Sequence, residues 1–397
     1  MTIKEHYDVG IVGAGPIGGY IASELSKDFD SIALIEQHKI IGKPMNCAGL
    51  ITPRVFEKFA IPKEKIIQNE IKGAHIHSPT GNTLMIGGDR VHAVSINRTL
   101  FDQYFSDKAE KQNTSLFLNE KILSIQTEKN MVELTTSKDN KISCKCLIGA
   151  DGPYSKVRDV CGFPQPKEFL RGIGAIVDNM SLDPNFVEIF VGERVAPGFF
   201  AWMIPINNEG TKARIGLCIQ KNNNKSPNYF FQRMFKEFPT AAYLKKAVIE
   251  QKNGGIIPLG SLSQTVKDNI VLVGDAAAQV KPTSGGGIYP GLLCASHCVQ
   301  SVKKAFNTDG FCPEILHEYH QGWKNDIGRE LSMGIQFRKL YTKLSDKEFD
   351  KYIKKFNQPS ITKIISEKGD IDYPSALLRP ILKKTPSLIR LLPRFIR

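Results

Sequence analysis

Residues 7–36 read YDVGIVGAGPIGGYIASELSKDFDSIALIE, and this stretch decides the fold. Tyr7 to Val12 is a run suited to a buried strand. Gly13, Gly15 and Gly18 follow, with Pro16 between them, and an amphipathic helix is predicted through about Lys27. Ser31 to Ile35 predicts a second strand, which ends on Glu36 and Gln37. Strand, glycine turn, helix, strand and acid, in that order, is the pattern of a dinucleotide-binding unit. Gly13 allows the tight turn, Gly15 lets the backbone approach a pyrophosphate, and Gly18 lets the helix pack on the sheet. The helix N-terminus attracts phosphate charge. Glu36 is placed to accept a hydrogen bond from a ribose hydroxyl.

Two later segments repeat the theme of a strand that ends in an acid. Cys144 to Asp151 (CKCLIGAD) is a predicted strand followed by Gly152, Ser155 and Arg158. Asn269 to Gly274 is another, running into Asp275; the glycines Gly285, Gly286 and Gly287 come next, and then a helix from about Ile288. In a parallel sheet such strand ends gather on one rim, where ligands bind. Asp275 is placed to bond a ribityl hydroxyl. The amides of Gly286, Gly287 and Ile288 are placed to hold negative charge on a reduced ring. The plain structural alternative for Asp151 and Asp275 is the capping of a turn.

Together these motifs resemble the flavoprotein superfamily of aromatic hydroxylases and geranylgeranyl reductases. GAGPIG resembles its first FAD fingerprint, GADGPYSKVR its middle motif and VLVGDAA its ribityl-binding motif. Arg98, in SINRTLFDQYF, matches the family's arginine near the cofactor phosphates. The resemblance covers most of residues 7–300 and implies an α/β fold. A Rossmann-like FAD-binding domain is expected over residues 1–70, 93–170 and 256–325, with an inserted antiparallel-sheet substrate domain over 71–92 and 171–255. Residues 326–397 are expected to form a helical C-terminal region covering the back.

Two segments point to one branch of that superfamily. The loop after Glu36 runs GKPMNCAGL and carries Cys47, Ala48 and Gly49. It resembles archaeal geranylgeranyl reductases, in which a cysteine sits near the flavin; the bland alternative is a small buried hydrophobe. In GFFAWMIPI, alternation puts Phe200, Trp202 and Ile204 on one strand face. Geranylgeranyl reductases carry an aromatic-x-Trp-x-x-Pro segment followed by Gly-x-Gly. Phe200, Trp202, Pro205 and Gly216 match it as substrate-binding residues, whereas Cys218 replaces the second glycine and is expected to narrow or reshape the lipid channel.

The resemblance implies hydrogenation of prenyl double bonds in geranylgeranyl chains of archaeal ether lipids, with hydride from reduced flavin and a proton to the other alkene carbon. Cys47 is the expected catalytic residue, as a proton relay or positioning group. The electron donor, NADPH or ferredoxin, stays open, since no second G-x-G-x-x-G follows a strand. Three other readings remain: an FAD-dependent monooxygenase, a flavoprotein carrying electrons to a membrane quinone, and a non-catalytic flavin- or lipid-binding module.

Composition narrows the rest. The chain has 397 residues, 41% hydrophobic and 23% charged, which suits two or three domains and excludes wholesale disorder. No stretch approaches the roughly 18–20 apolar residues of a spanning helix. Met1 to His6 lacks the apolar core of a secretory signal. The 8 cysteines include no C-x-x-C, so structural zinc and a disulfide framework are unsupported and a reduced, cytoplasmic chain is expected. Lys and Arg total 53 against 40 acids, a net +13 that favours acidic partners, although no nucleic-acid motif accompanies it. From Pro374 to Arg397 the chain has Arg379, Lys383, Lys384, Arg390, Arg394 and Arg397 among apolar residues, with no Asp or Glu. That composition suits peripheral attachment to an anionic membrane surface.

Overall fold

The structure is a computed structural model that describes residues 6–128, 130–237, 239–308 and 311–384. Three sheets organise it. The first has eight strands, and its spine runs Val266–Lys267, Ile270–Leu272, Lys141–Gly149, His6–Val12, Ile32–Glu36, Thr114–Leu118. From Ile270–Leu272 to Thr114–Leu118 all neighbours are parallel. Val12 lies opposite both Gly149 and Ile35, and Gly149 opposite Leu272. Backbone bonds continue this alignment past the strand ends: Gly13 N–H to the Ile35 carbonyl at 2.7 Å, Ala150 N–H to Val12 at 2.8 Å, and Val273 N–H to Gly149 at 3.0 Å. The three predicted strand tips are therefore flush on one rim.

The first helix, Pro16–Leu25, starts at Gly15 with its proline in the first turn, where a missing N–H costs nothing. Ile17, Ile21, Ala22 and Leu25 bury its inner face in the main core, against Phe101 and Phe105 of the helix Arg98–Glu110 and Leu292 of the helix Ile288–Phe306. The long predicted helix begins at Ile288 as expected, whereas the first helix stops two residues before Lys27.

The second sheet has seven strands in the order Val248–Leu259, Glu168–Asp178, Ala213–Gln220, Phe200–Pro205, Phe186–Val191, Gly73–His77, Thr83–Gly87. It is antiparallel, as expected, save for one pair: Phe186–Val191 runs parallel to Gly73–His77. A parallel pair needs a long crossover. Here the crossover is the stretch of chain that builds much of the first sheet, because the second sheet is assembled from separated segments.

A third, unanticipated sheet joins Leu50–Ile51, Ala93–Ile96 and Ile67–Ile71. It is small but decisive for position. Its first strand follows Cys47-Ala48-Gly49 directly, and its central strand leads directly into Arg98; the Ile96 N–H donates to the Gly49 carbonyl at 2.8 Å.

The C-terminal region is helical, as expected; Ile327 and Leu331 join the main core, while the later helices turn to the substrate sheet. Gly334 presses against Pro282, next to the glycine run. Arg338 bonds Glu168 at 3.0 Å and the Gly198 carbonyl at 2.7 Å and lies over the Phe199 ring. Phe349 and Ile353 pack with Leu84, Val191 and Phe200. The reason is the apolar face that the substrate sheet turns this way, which the helices bury. Residues 385–397, including Arg390, Arg394 and Arg397 of the basic tail, lie outside the described residues. No helix among the described residues is long and apolar enough to cross a membrane.

Candidate active site

The glycine turn has the shape its sequence predicts. Gly13 has φ +97, and a Cβ on Gly18 would collide with the Gly13 carbonyl oxygen. Around Gly15, by contrast, a Cβ would meet nothing within 4 Å. Glu36, at the tip of the second strand, accepts from the Ala14 N–H at 2.9 Å and from the His38 N–H at 3.0 Å. Gln37 beside it is exposed.

The two later acids differ. Asp151 accepts from the Ser155 hydroxyl at 2.6 Å and the Val157 N–H at 3.0 Å, so its carboxylate caps the short helix Lys156–Val160. Gly152, with open space beside it, is the part of that motif a ligand can approach. Asp275 has no hydrogen-bond donor among the described residues. Burial pushes its carboxyl up to about 6, against the pull of Arg98. A Cβ on Gly287 would lie 2.6 Å from the Asp275 Oδ1 and one on Gly286 2.9 Å from Lys281, so the run Gly285 to Gly287 presents bare backbone at the N-terminus of the Ile288 helix.

Arg98 is held by Asp102 through contacts of 2.9–3.1 Å one turn along its own helix. Burial opposes its charge, yet Asp102 and the Cys47 sulfur, which it also faces, raise its pKa overall. Cys47 is half-buried, and its sulfur accepts from the Gly49 N–H at 3.3 Å. Glycine turn, Asp275, Arg98 and Cys47 thus stand on one side of the rim.

The substrate sheet closes the other side. Trp202 packs in one cluster with Ala48, Leu50 and Ile204, and in another with Phe199, Cys218 and Val280. It therefore lies between the Cys47 loop and the segment that leads to the glycine run. Phe200 stacks on Phe199 at 4.2 Å and extends the apolar surface to Phe349 and Ile353. A Cβ on Gly216, opposite Trp202, would lie 2.6 Å from the indole. Cys218 is buried, with its sulfur leaning over Gly172, and burial pushes its thiol up to about 12, so it is packing rather than a reactive group. Pro205 ends its strand away from this cluster, beside Asn69, which donates to the Pro205 carbonyl at 3.3 Å.

Two groups escaped the sequence reading. Arg214, on the strand Ala213–Gln220, donates to the Ala48 carbonyl at 3.2 Å and to Gln68 at 2.5 Å. The signal for it was a lone cation in an otherwise apolar strand. Asp372, in the C-terminal region, accepts from Lys281 and from Thr52, each at 2.6 Å, while Asp370 pairs with Arg54 at 2.6 Å. These contacts tie the segment behind Cys47 and the glycine-run loop to one C-terminal strap.

An anionic dinucleotide fits this surface. It offers an open backbone at Gly15, free space at Gly152, a carboxylate at Asp275 that meets no donor among the described residues, and a helix N-terminus where glycines present bare backbone. The comparisons agree. An FAD binding domain model matches residues 6–295. The chain belongs to that family, within the aromatic-hydroxylase-like flavoproteins, and is an FAD-dependent oxidoreductase. It is 32% identical to an uncharacterized protein of Methanocaldococcus jannaschii, over 96% of both chains. It is 29% identical to a digeranylgeranylglycerophospholipid reductase of the same organism, over 98% of both. A geranylgeranyl bacteriochlorophyll reductase-like protein of Thermoplasma acidophilum shares the fold, with a TM-score of 0.86 at 22% identity, covering 98% of this chain and 99% of the other.

Proposed function

We propose that this oxidoreductase hydrogenates carbon–carbon double bonds of geranylgeranyl chains on a glycerophospholipid of the archaeal ether type. The observation that carries the reading is the position of Trp202, which packs with the Cys47 loop and with Val280 while Phe200 continues the apolar surface towards the C-terminal helices. An isoprenoid chain needs such a strip of apolar wall leading to a redox centre, and the full-length similarity to a reductase of that lipid class supports the assignment.

On this reading each site residue takes a role. Gly13, Gly15, Pro16 and Gly18 would hold the pyrophosphate at the helix N-terminus, together with Gly152 and Arg98. Glu36 and Gln37 would hold the ribose, Asp275 the ribityl chain, and Gly286, Gly287 and Ile288 the ring's negative edge. Asp151 acts by capping the turn that shapes Gly152. When bound, reduced FAD would supply hydride chemistry for the alkene. Phe200 and Trp202 bind and orient the chain, and their faces favour any positive character on the second carbon. Cys47, between the Arg98 guanidinium and the apolar wall, relays the proton or positions the alkene. Ala48 and Gly49 set its backbone, Gly216 leaves room for the Trp202 indole, and Cys218 shapes the channel floor. NADPH or ferredoxin supplies the electrons, and the basic C-terminal tail holds the protein at the membrane surface where its lipid resides.

The test is anaerobic. Protein reduced with dithionite is incubated with digeranylgeranylglycerophospholipid, and mass spectrometry should show a gain of two hydrogens per double bond. Product that forms only with oxygen would favour the monooxygenase reading and refute this one. Cys47→Ala should keep FAD and lose most alkene reduction; full activity in that variant removes the thiol from the mechanism.

A further inference from the structure

Arg214 differs from Arg98, the other cation of the site, because no carboxylate pairs with it among the described residues. The other residues from Ala213 to Ile219 are apolar or glycine, and Arg214 itself is only 4% exposed. Its two terminal nitrogens donate to Ala48 and Gln68, both uncharged. Its Nε donates to nothing among the described residues. Asp102 is already engaged by Arg98. Burial pulls the Arg214 pKa down to about 10, Cys47 opposing and Arg98 assisting, so the group is still a cation at neutral pH.

A buried cation without a partner is costly, and it is retained where a negative charge arrives to meet it. Arg214 lies where such a charge would arrive. It faces Cys47 and Arg98, and Arg98 in turn reaches Asp275. It also presses on the Cys47 loop so closely that a Cβ on Gly49, where φ is +66, would lie 2.6 Å from its Nη1. The backbone there is glycine in a left-handed conformation, which lets the guanidinium sit against the loop.

We propose that Arg214 is an electrostatic positioning residue of the redox site: it pins the Cys47–Gly49 loop to the substrate sheet and sets its spare positive charge against the negative charge that bound FAD gains on reduction. The reduction takes two electrons and one proton, leaving the flavin one unit more negative, and a nearby cation raises its potential. The inference rests on FAD binding and not on which substrate is later reduced.

The experiment is anaerobic reduction of the holoenzyme by dithionite with a reference dye, which yields the midpoint potential without any substrate. Arg214→Gln removes the charge and retains an amide donor for the Ala48 carbonyl; Arg214→Lys retains the charge. Arg214→Gln should make reduction at least tenfold less favourable, about 30 mV more negative for a two-electron couple, with Arg214→Lys staying within about threefold of the parent. Potentials that match the parent in both variants, or that fall equally in both, overturn the proposal. If Arg214→Gln retains no FAD, Arg214→Lys decides: FAD bound at the parent potential supports the proposal, and a lowered potential or lost FAD overturns it. A failure of lipid hydrogenation with the expected potential shift would refute the proposed substrate while leaving Arg214's role intact.

Discussion

Asp275→Asn should have opposite effects on the cofactor-stripped and the loaded protein. In the stripped protein the carboxyl is half-buried, has no donor among the described residues and is pushed from 3.8 to about 6 by burial. A carboxyl raised in this way stabilises the fold fully only below its unfolded value, and that contribution is lost as pH rises through about 6. A rise from 3.8 to about 6 corresponds to about 3 kcal/mol of cost for the buried charge at neutral pH, and partial access to water reduces this to about 1–2 kcal/mol. Removing the charge should therefore stabilise stripped protein by about 1–2 kcal/mol at pH 8, and by roughly half as much at pH 5, where the native carboxyl is mostly protonated. In the loaded protein the same change weakens a charge-assisted bond to a ribityl hydroxyl, costing about 1–2 kcal/mol, or roughly five- to thirtyfold in FAD affinity. Urea denaturation of stripped protein at the two pH values gives the first quantity, and flavin fluorescence titration the second. Destabilised stripped protein, or unchanged FAD affinity, would refute the view that this carboxylate is held in readiness for the cofactor.

Gly15→Ala and Gly18→Ala should separate the two glycine roles: the first leaves stripped-protein stability within about 0.5 kcal/mol and weakens FAD binding, while the second costs about 3 kcal/mol by collision with the Gly13 carbonyl, both read by denaturant midpoints and FAD titration. Asp372→Asn leaves Lys281 with a neutral partner and should cost about 3 kcal/mol and speed FAD release, seen by stopped-flow fluorescence. Truncation before Leu378 should abolish sedimentation with anionic liposomes while sparing FAD binding; retained sedimentation would rule out the basic tail as the anchor.

The FAD half was readable because its chemistry is local. Gly13, Gly18 and Glu36 each act within one strand–turn–helix unit, so spacing alone carries the geometry. Asp151 and Asp275 look alike in sequence, each ending a strand before glycine-rich turns. Only the structure shows that Ser155 and Val157 occupy the first carboxylate while the second meets no donor among the described residues. The small third sheet escaped notice because one strand, Leu50–Ile51, is too short to leave a period. The C-terminal helices were recognisable as helices, but amphipathicity records that a face is buried and not what buries it. Their docking beside the glycine run depends on Gly334 against Pro282 and Asp372 against Lys281, pairs far apart along the chain. Arg214 is legible only in retrospect, since a cation in an apolar strand says that a charge is needed without saying where.

The strap formed by Asp370 and Asp372 bears on how the protein comes into being. During synthesis the glycine turn emerges first, the Asp275 tip much later, and the carboxylates that brace the segments at Thr52–Arg54 and Lys281 later still. A nascent chain that has just completed the Ile288 helix already has every proposed FAD contact and the sheet that aligns them, but it still lacks the carboxylates that brace Thr52, Arg54 and Lys281. The glycine-run loop is therefore the last part of the site to receive its brace, because the carboxylate that meets Lys281 lies near the end of the chain.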